Sequence, residues 1–151
     1  MDLSQARSML TDGRQCVLAS RRPDGSLQLN PVVVIGGRGD VALIATRAAA
    51  YKIKNIAHDP RVGLCVPPRR TWGGDWAQID GYATVHRPPA ATDEIAEYYE
   101  RVDRPGFTPE TVRRLCARGE LVLIRILFER AVPDTPPGIL EGGRDRSDSD
   151  R

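Results

Sequence analysis

Short runs of apolar and β-branched residues recur along the chain and predict six β-strands. The predicted strands are residues 15–20, 27–35, 41–46, 62–66, 76–86 and 121–128. Turn sequences such as Arg22-Pro-Asp-Gly25 separate several of these runs, and Pro31 indicates a sheet edge or a bulge in the second strand. Hairpin connections imply antiparallel pairing, and six such strands can close into a barrel. The sequence therefore predicts a mainly β protein.

Four segments change to the helical period and predict flanking helices. They are residues 3–12, 47–58, 91–102 and a helix that follows Thr108 and closes at Gly119. Thr108-Pro109-Glu110 is a favourable N-cap, first position and first-turn acid. One helix thus lies between the third and fourth strands, and a helical pair precedes the last strand.

The length of 151 residues predicts one domain, which we place at residues 1–132. Pro, Gly, Arg, Asp and Ser dominate from Pro133 onward, and Glu141–Arg151 contains no apolar side chain. Such a segment cannot bury surface to offset its ordering entropy, so residues 133–151 are predicted to be a disordered tail.

Charge and cysteine content exclude several functions. A net charge of +2 argues against binding to nucleic acid, and no apolar run approaches the roughly 18 residues of a membrane-spanning helix. The N-terminus lacks signal-peptide features, so we expect a cytoplasmic protein. Cys16, Cys65 and Cys116 are far apart and are interpreted as buried apolar residues, with neither a disulfide framework nor a metal site.

The lysines are concentrated at one place. Of the 22 basic residues only Lys52 and Lys54 are lysines, and they follow the junction between a strand that ends near Thr46 and a helix. Free backbone N–H groups, the helix dipole, a hydroxyl and two ammonium groups together favour a phosphate. The alternative is an ordinary solvated helix face.

The same segment carries a resemblance to a known family. It reads Thr46-x-x-x-x-x-Lys52-x-Lys54-Asn55-Ile56-x-x-Asp59-Pro60-Arg61-Val62-x-Leu64. Two further motifs are Val17-Leu-Ala-Ser-x-x-x-Asp24-Gly25-x-x-x-x-Asn30-Pro31-Val32 and Asp80-Gly81-x-Ala83-x-Val85. Together they resemble the pyridoxamine 5'-phosphate oxidase-like split β-barrel superfamily over about residues 5–130. The resemblance implies a six-stranded antiparallel FMN-binding split barrel and a homodimer with its sites at the subunit interface.

Two cofactors compete within this superfamily. FMN-binding oxidases have a Ser-Arg-Lys run where this chain has Ala50-Tyr51-Lys52, and their C-terminal arginine motif has no counterpart here. The run from Lys52 to Arg61 resembles the F420-dependent reductase branch. This implies an F420H2-dependent reductase that transfers a hydride to an electron-poor small molecule. The alternatives are an FMN-dependent oxidoreductase of the family, or a non-catalytic protein that binds flavin, deazaflavin or haem.

The resemblance to that branch also assigns residues to the cofactor. Lys52 would bind its phosphate, Lys54 would reach the phosphate or the polyglutamate tail, and Trp76 would come from the partner subunit. The full implied set is Gln28, Pro31, Val32, Thr46, Ala50, Tyr51, Lys52, Lys54 and Trp76. Tyr51 and Tyr82 are weak candidates for a proton donor. The Pro67–Asp75 loop and the Arg104–Thr108 segment are expected at the pocket mouth.

Overall fold

The computed structural model describes residues 1–10 and 13–132, which contain six strands and four helices. The strands are β1 (Arg14–Arg21), β2 (Leu27–Gly36), β3 (Val41–Arg47), β4 (Arg61–Val66), β5 (Ala77–His86) and β6 (Leu121–Val132). The helices are α1 (Leu3–Ser8), α2 (Tyr51–His58), α3 (Thr92–Val102) and α4 (Pro109–Ala117). All neighbouring strands are antiparallel and close in the order β1-β2-β3-β6-β5-β4. The predicted six-stranded barrel with flanking helices is confirmed.

The barrel is open along most of the β2–β3 boundary. β1 and β2 pair over the whole length of β1, whereas β2 and β3 pair only at Ile35 with Leu43 and at Gly36 with Ala42. The rest of β2 therefore separates from β3 and leaves a split in the wall. Pro31 lies opposite Val17 of β1 and has no partner on β3, as expected of a residue that cannot donate to a second strand ladder.

Apolar side chains form two cores on opposite sides of the β3–β6 wall. Alternate residues of β6 point into the barrel, among them Ile124 and Ile126. Leu121 and Leu123 point outward and pack beneath α3 and α4. Because successive side chains of a strand face opposite sides, a strand covered on both faces is apolar throughout. This double burial explains why β6 is the most continuously apolar segment of the chain.

Two predicted helix boundaries and the predicted burial of one cysteine were wrong. The first helix ends at Ser8 instead of residue 12, and α2 begins at Tyr51 instead of Arg47. Arg47 belongs to β3 because it pairs with Leu121, and the N–H of the next residue, Ala48, donates to the sheet neighbour Glu120 at 2.9 Å. Of the three cysteines, Cys65 is exposed rather than buried, since it lies on the outer side of β4.

Three further expectations concern the C-terminal tail, membrane-spanning helices and metal ligands. The predicted tail, residues 133–151, lies outside the described residues. Within residues 1–10 and 13–132, no helix has the length and apolar character needed to cross a membrane. In the same part of the chain, no three His, Cys, Asp or Glu side chains converge as they would around a metal ion.

Candidate functional site

A cavity of about 700 Å³ lies in the split between β2 and β3, beside the C-terminal end of α3. Its walls are residues 15–17, 31–33, 44–46, 98–99 and 102–105, together with Lys52 and Pro67. Most of these side chains are apolar, so the cavity suits a flat ring system with a small number of polar contacts. Four members of the predicted cofactor set line it: Pro31, Val32, Thr46 and Lys52.

Lys52 is the second residue of α2 and lies half-buried on the cavity wall. In the described part of the chain, none of the ion pairs involves its ammonium group. Burial lowers the pKa of Lys52 from its ordinary value, because desolvation disfavours the charged form. A partly desolvated cation without a carboxylate partner is well suited to an anionic group of a ligand.

The other residues at the start of α2 do not reach the cavity formed by one chain. Tyr51 is 72% exposed, and the Lys54 ammonium lies 5.5 Å from the centroid of the Tyr51 ring. Ala50 is the N-cap, with an extended backbone and no side-chain cap. Lys52 is therefore the cation that α2 presents to the cavity, and the roles assigned to Ala50, Tyr51 and Lys54 remain predictions.

Gln28 does not line the cavity formed by one chain, and its side chain bonds to α2, so its cofactor role remains a prediction. The buried amide of Asn55 donates to Ser20 Oγ at 3.0 Å and to Gln28 Oε1 at 2.9 Å. These bonds tie α2 to β1 and β2, three residues along the helix from Lys52. Sequence reasoning quoted Asn55 only as part of a motif and missed its role, although a polar residue between Ile53 and Ile56 on an apolar helix face was the available signal.

Asn55→Ala is expected to lower the free energy of unfolding by about 2 kcal/mol. The substitution removes both donors and leaves the buried Ser20 hydroxyl and the Gln28 carbonyl without this partner, and unsatisfied buried groups cost about 1–3 kcal/mol each. Urea denaturation measures the change. Gln78→Ala is the control, because the Gln78 amide bonds to Asp80 on the exposed surface and should change stability by less than about 0.5 kcal/mol. An Asn55→Ala protein as stable as wild type would contradict the prediction.

Two tyrosines of α3 enter the split. The Tyr98 hydroxyl donates to the Val33 carbonyl at 2.6 Å, and the Ala45 N–H faces the same phenol oxygen. Tyr98 thus bridges β2 and β3 where their ladder is missing, and its burial raises the pKa of the phenol. Tyr99 lies beside it with the ring centroids 5.0 Å apart, edge to face. Sequence reasoning missed both tyrosines.

The proton-donor candidates from the sequence lie elsewhere. Tyr51 and Tyr82 are 72% and 43% exposed, and neither lines the cavity. The predicted mouth is closer to what is observed, since Pro67 opens one loop of the rim and Arg104 lies in the turn between α3 and α4. Trp76 is 44% exposed just before β5 and does not line the cavity of its own chain.

A six-stranded antiparallel barrel that opens between two of its strands, with a cavity at the opening, is a split β-barrel. A half-buried lysine lies at this cavity. The family model of pyridoxamine 5'-phosphate oxidase matches residues 3–125. The chain belongs to this family. No curated protein matches the sequence.

Solved structures show the same fold at low sequence identity. An F420 reductase aligns with a TM-score of 0.67 and 20% identity over 83% of this chain and 94% of its own. A conserved hypothetical protein from Mycobacterium tuberculosis aligns at 0.69 and 19% identity, covering 91% and 92% of the two chains. General stress protein 26 from Bacillus anthracis gives 0.61 and 18%, covering 85% and 90%. At these identities the similarity establishes the fold.

Proposed function

We propose that this protein is an F420H2-dependent reductase that binds F420 in the cavity at the split. The observation that carries the proposal is Lys52, a half-buried ammonium on the cavity wall with no carboxylate partner among the described residues. Lys52 would hold the cofactor phosphate through its positive charge, and the Thr46 hydroxyl on the same wall would add a hydrogen bond.

The apolar walls fit the rest of such a cofactor. Pro31 and Val32 on β2 and Ile44 on β3 give the two sides of the split a non-polar lining. When bound, the reduced deazaflavin supplies a hydride for an electron-poor double bond. The protein holds the phosphate, orients the ring system and excludes water from the reacting atoms.

An FMN-dependent oxidoreductase is the second candidate, and the match to the pyridoxamine 5'-phosphate oxidase family favours it. The same cation and the same walls suit an FMN phosphate and an isoalloxazine ring. A non-catalytic carrier of flavin, deazaflavin or haem is a third possibility within the same fold. Cofactor preference separates the first two, and turnover separates both from the third.

Titration of the purified protein with F420 and with FMN, followed by quenching of tryptophan fluorescence, tests the cofactor. We expect tighter binding of F420, followed by oxidation of its reduced form when quinones, enones or tetrapyrroles are added. Tighter binding of FMN would replace the proposal by the flavin alternative. Binding of either cofactor without turnover of any acceptor would identify a carrier.

We also propose that the protein is a homodimer in which each partner closes the other's cavity. An outer apolar face is formed by Val17, Ala19, Leu27, Leu29, Pro31, Gly63 and Cys65 on β1, β2 and β4. Leu27 and Leu29 lie on the same face of β2 and are 55% and 63% exposed. Two neighbouring exposed leucines within an apolar face are unusual for a monomer. Val17 and Pro31 belong both to this face and to the cavity wall. A second copy on the outer apolar face therefore covers the cavity rim, where Trp76 of the partner could reach the ring system.

Light scattering at micromolar concentration is expected to give twice the chain mass of 16.6 kDa. Leu29→Glu should yield monomer, because a dimer would then bring unpaired carboxylates together in an apolar interface. Leu127→Glu is the control, since Leu127 is 56% exposed on β6, outside the outer apolar face. A wild-type protein that is monomeric, or a Leu29→Glu protein that remains dimeric, would refute this assembly.

A further inference from the structure

Tyr98 and Tyr99 both line the cavity, but their hydroxyl groups differ in whether they donate a hydrogen bond within the described part of the protein. Tyr98 donates to the Val33 carbonyl, so its proton is used within the protein. Among the hydrogen bonds of the described residues, none has the Tyr99 hydroxyl as donor, although the side chain is 5% exposed and lines the cavity. The Tyr99 hydroxyl is thus the phenolic group of the cavity whose proton is available to a ligand.

Packing holds the Tyr99 ring in a defined position. It stacks on Phe107 with centroids 4.6 Å apart and an interplanar angle of 22°, and it meets Tyr98 edge to face. The Arg104 guanidinium carbon lies 4.3 Å from the centroid of the same Phe107 ring. Both polar groups are therefore placed by one aromatic side chain at the same end of the cavity.

Arg104 lies near the Tyr99 hydroxyl, and its positive charge lowers the pKa that burial raises. A guanidinium has no acceptor atom, so Arg104 cannot take the phenolic proton of Tyr99. Arg47, which is paired with Glu120 at 3.8 Å, also lowers the pKa of Tyr99, whereas Cys116 raises it.

Building on the proposed function, we propose that Tyr99 is a catalytic proton donor and that the acceptor is an α,β-unsaturated carbonyl compound whose oxygen faces Tyr99 and Arg104. A bound reduced cofactor would supply a hydride to the carbon β to the carbonyl group of the acceptor, and the C=C electron pair would then shift toward the oxygen. That oxygen takes the Tyr99 proton as the phenolic O–H bond breaks. The enol tautomerises in water to the saturated carbonyl compound.

The step balances in electrons and protons. The acceptor gains two electrons and one hydrogen with the hydride and a second hydrogen from Tyr99, while the cofactor is oxidised. The tyrosinate left behind is stabilised by the positive charge of Arg104 and is reprotonated by water. Arg104 is a positioning residue for Tyr99 and also faces the developing enolate.

A stable oxyanion tests this subsite without turnover. We use 4-nitrophenolate, whose oxygen stands in for the enolate, and measure its binding by absorbance in a Lys52→Met background without cofactor. That background removes the other cation of the cavity wall, so the result does not depend on which cofactor binds. Tyr99→Phe is expected to weaken probe binding about 10-fold or more, the loss typical of a hydrogen bond to a charged group. Arg104→Ala should have a similar effect.

Stability and turnover separate a catalytic role from a structural one. Tyr99→Phe should leave the melting temperature unchanged because no protein acceptor loses its donor, whereas Tyr98→Phe should lower it. Arg113→Ala, on the exposed side of α4, is the control for Arg104→Ala and should bind the probe like its parent. With reduced F420 and cyclohex-2-enone, Tyr99→Phe should lower kcat by about 100-fold.

Two results would overturn the proposal. One is probe binding by the Tyr99→Phe variant that equals that of its parent. The other is a loss of probe binding that comes with a fall in melting temperature as large as that of Tyr98→Phe, since this would make Tyr99 a packing residue. Failure of F420 to bind would count against the proposed function alone, because the probe measurement needs no cofactor.

Discussion

Lys52→Met is expected to weaken F420 binding by about 10- to 150-fold. A charge-assisted hydrogen bond contributes about 1.5–3 kcal/mol, and Met retains the aliphatic stem while it removes the ammonium group. Fluorescence titration of wild type and variant measures the change. Lys54→Met is the matched control, because Lys54 lies over the exposed Tyr51 ring instead of the cavity wall. Its effect should be smaller and should decline with added salt.

The same substitution is expected to stabilise the protein without cofactor. The folded state lowers the pKa of Lys52, so at neutral pH folding must bury part of a charge that the unfolded chain leaves in water. Stability therefore rises with pH between the folded pKa and the ordinary pKa of lysine, and Lys52→Met removes the cost that is present below this range. Thermal unfolding of both proteins at pH 7 measures whether the variant is more stable than wild type. For the binding prediction, an unchanged F420 affinity of Lys52→Met would mean that the phosphate is held elsewhere.

Gly81→Ala is expected to lower the free energy of unfolding by about 3 kcal/mol. A Cβ at this position would lie 2.4 Å from the Leu127 carbonyl oxygen and 2.9 Å from Ile126 Cγ2. Gly81 also borders the register shift between β5 and β6, so the backbone of β6 would have to move to relieve the contact. Overpacking of this kind costs about 1–3 kcal/mol, and a backbone atom cannot rotate away as a side chain can.

Urea denaturation with Gly36→Ala as the control measures the effect of Gly81→Ala. Gly36 is also a strand glycine, but its added Cβ would meet nothing closer than the Leu10 carbonyl oxygen at 4.0 Å. Its stability should change by less than about 0.5 kcal/mol. Equal stabilities of the two variants would show that β5 and β6 can separate at Gly81 without loss.

Local patterns in the sequence predicted the elements well where local interactions decide them. Thr108 caps α4 as predicted, since its hydroxyl accepts from the Thr111 N–H at 3.2 Å and Pro109 occupies the first turn. The start of α2 was predicted four residues too early. There a long-range pairing of Arg47 with Leu121 overrode the helical preference of the Ala-rich segment.

The candidate site was predicted only where a residue departs from the surrounding composition. Two lysines in an arginine-rich chain pointed to Lys52, which lines the cavity. Tyr98 and Tyr99 gave no such signal, because with Ile95 they follow the helical spacing of an ordinary apolar face. Asn55 likewise follows the buried face of α2, and its partners Ser20 and Gln28 are 35 and 27 residues distant.

The sequence by itself determined the strands, the helices, the antiparallel barrel and the lysine that lines the cavity, because periodicity, turn residues and composition act over a few neighbours. Only the tertiary structure decided that β2 separates from β3 after two residue pairs and that Tyr98 bridges the opening. It also decided that Tyr99 and Arg104 share one end of the cavity. These features depend on contacts between residues far apart in the chain. A local sequence pattern does not indicate which strand or helix will lie opposite a given segment.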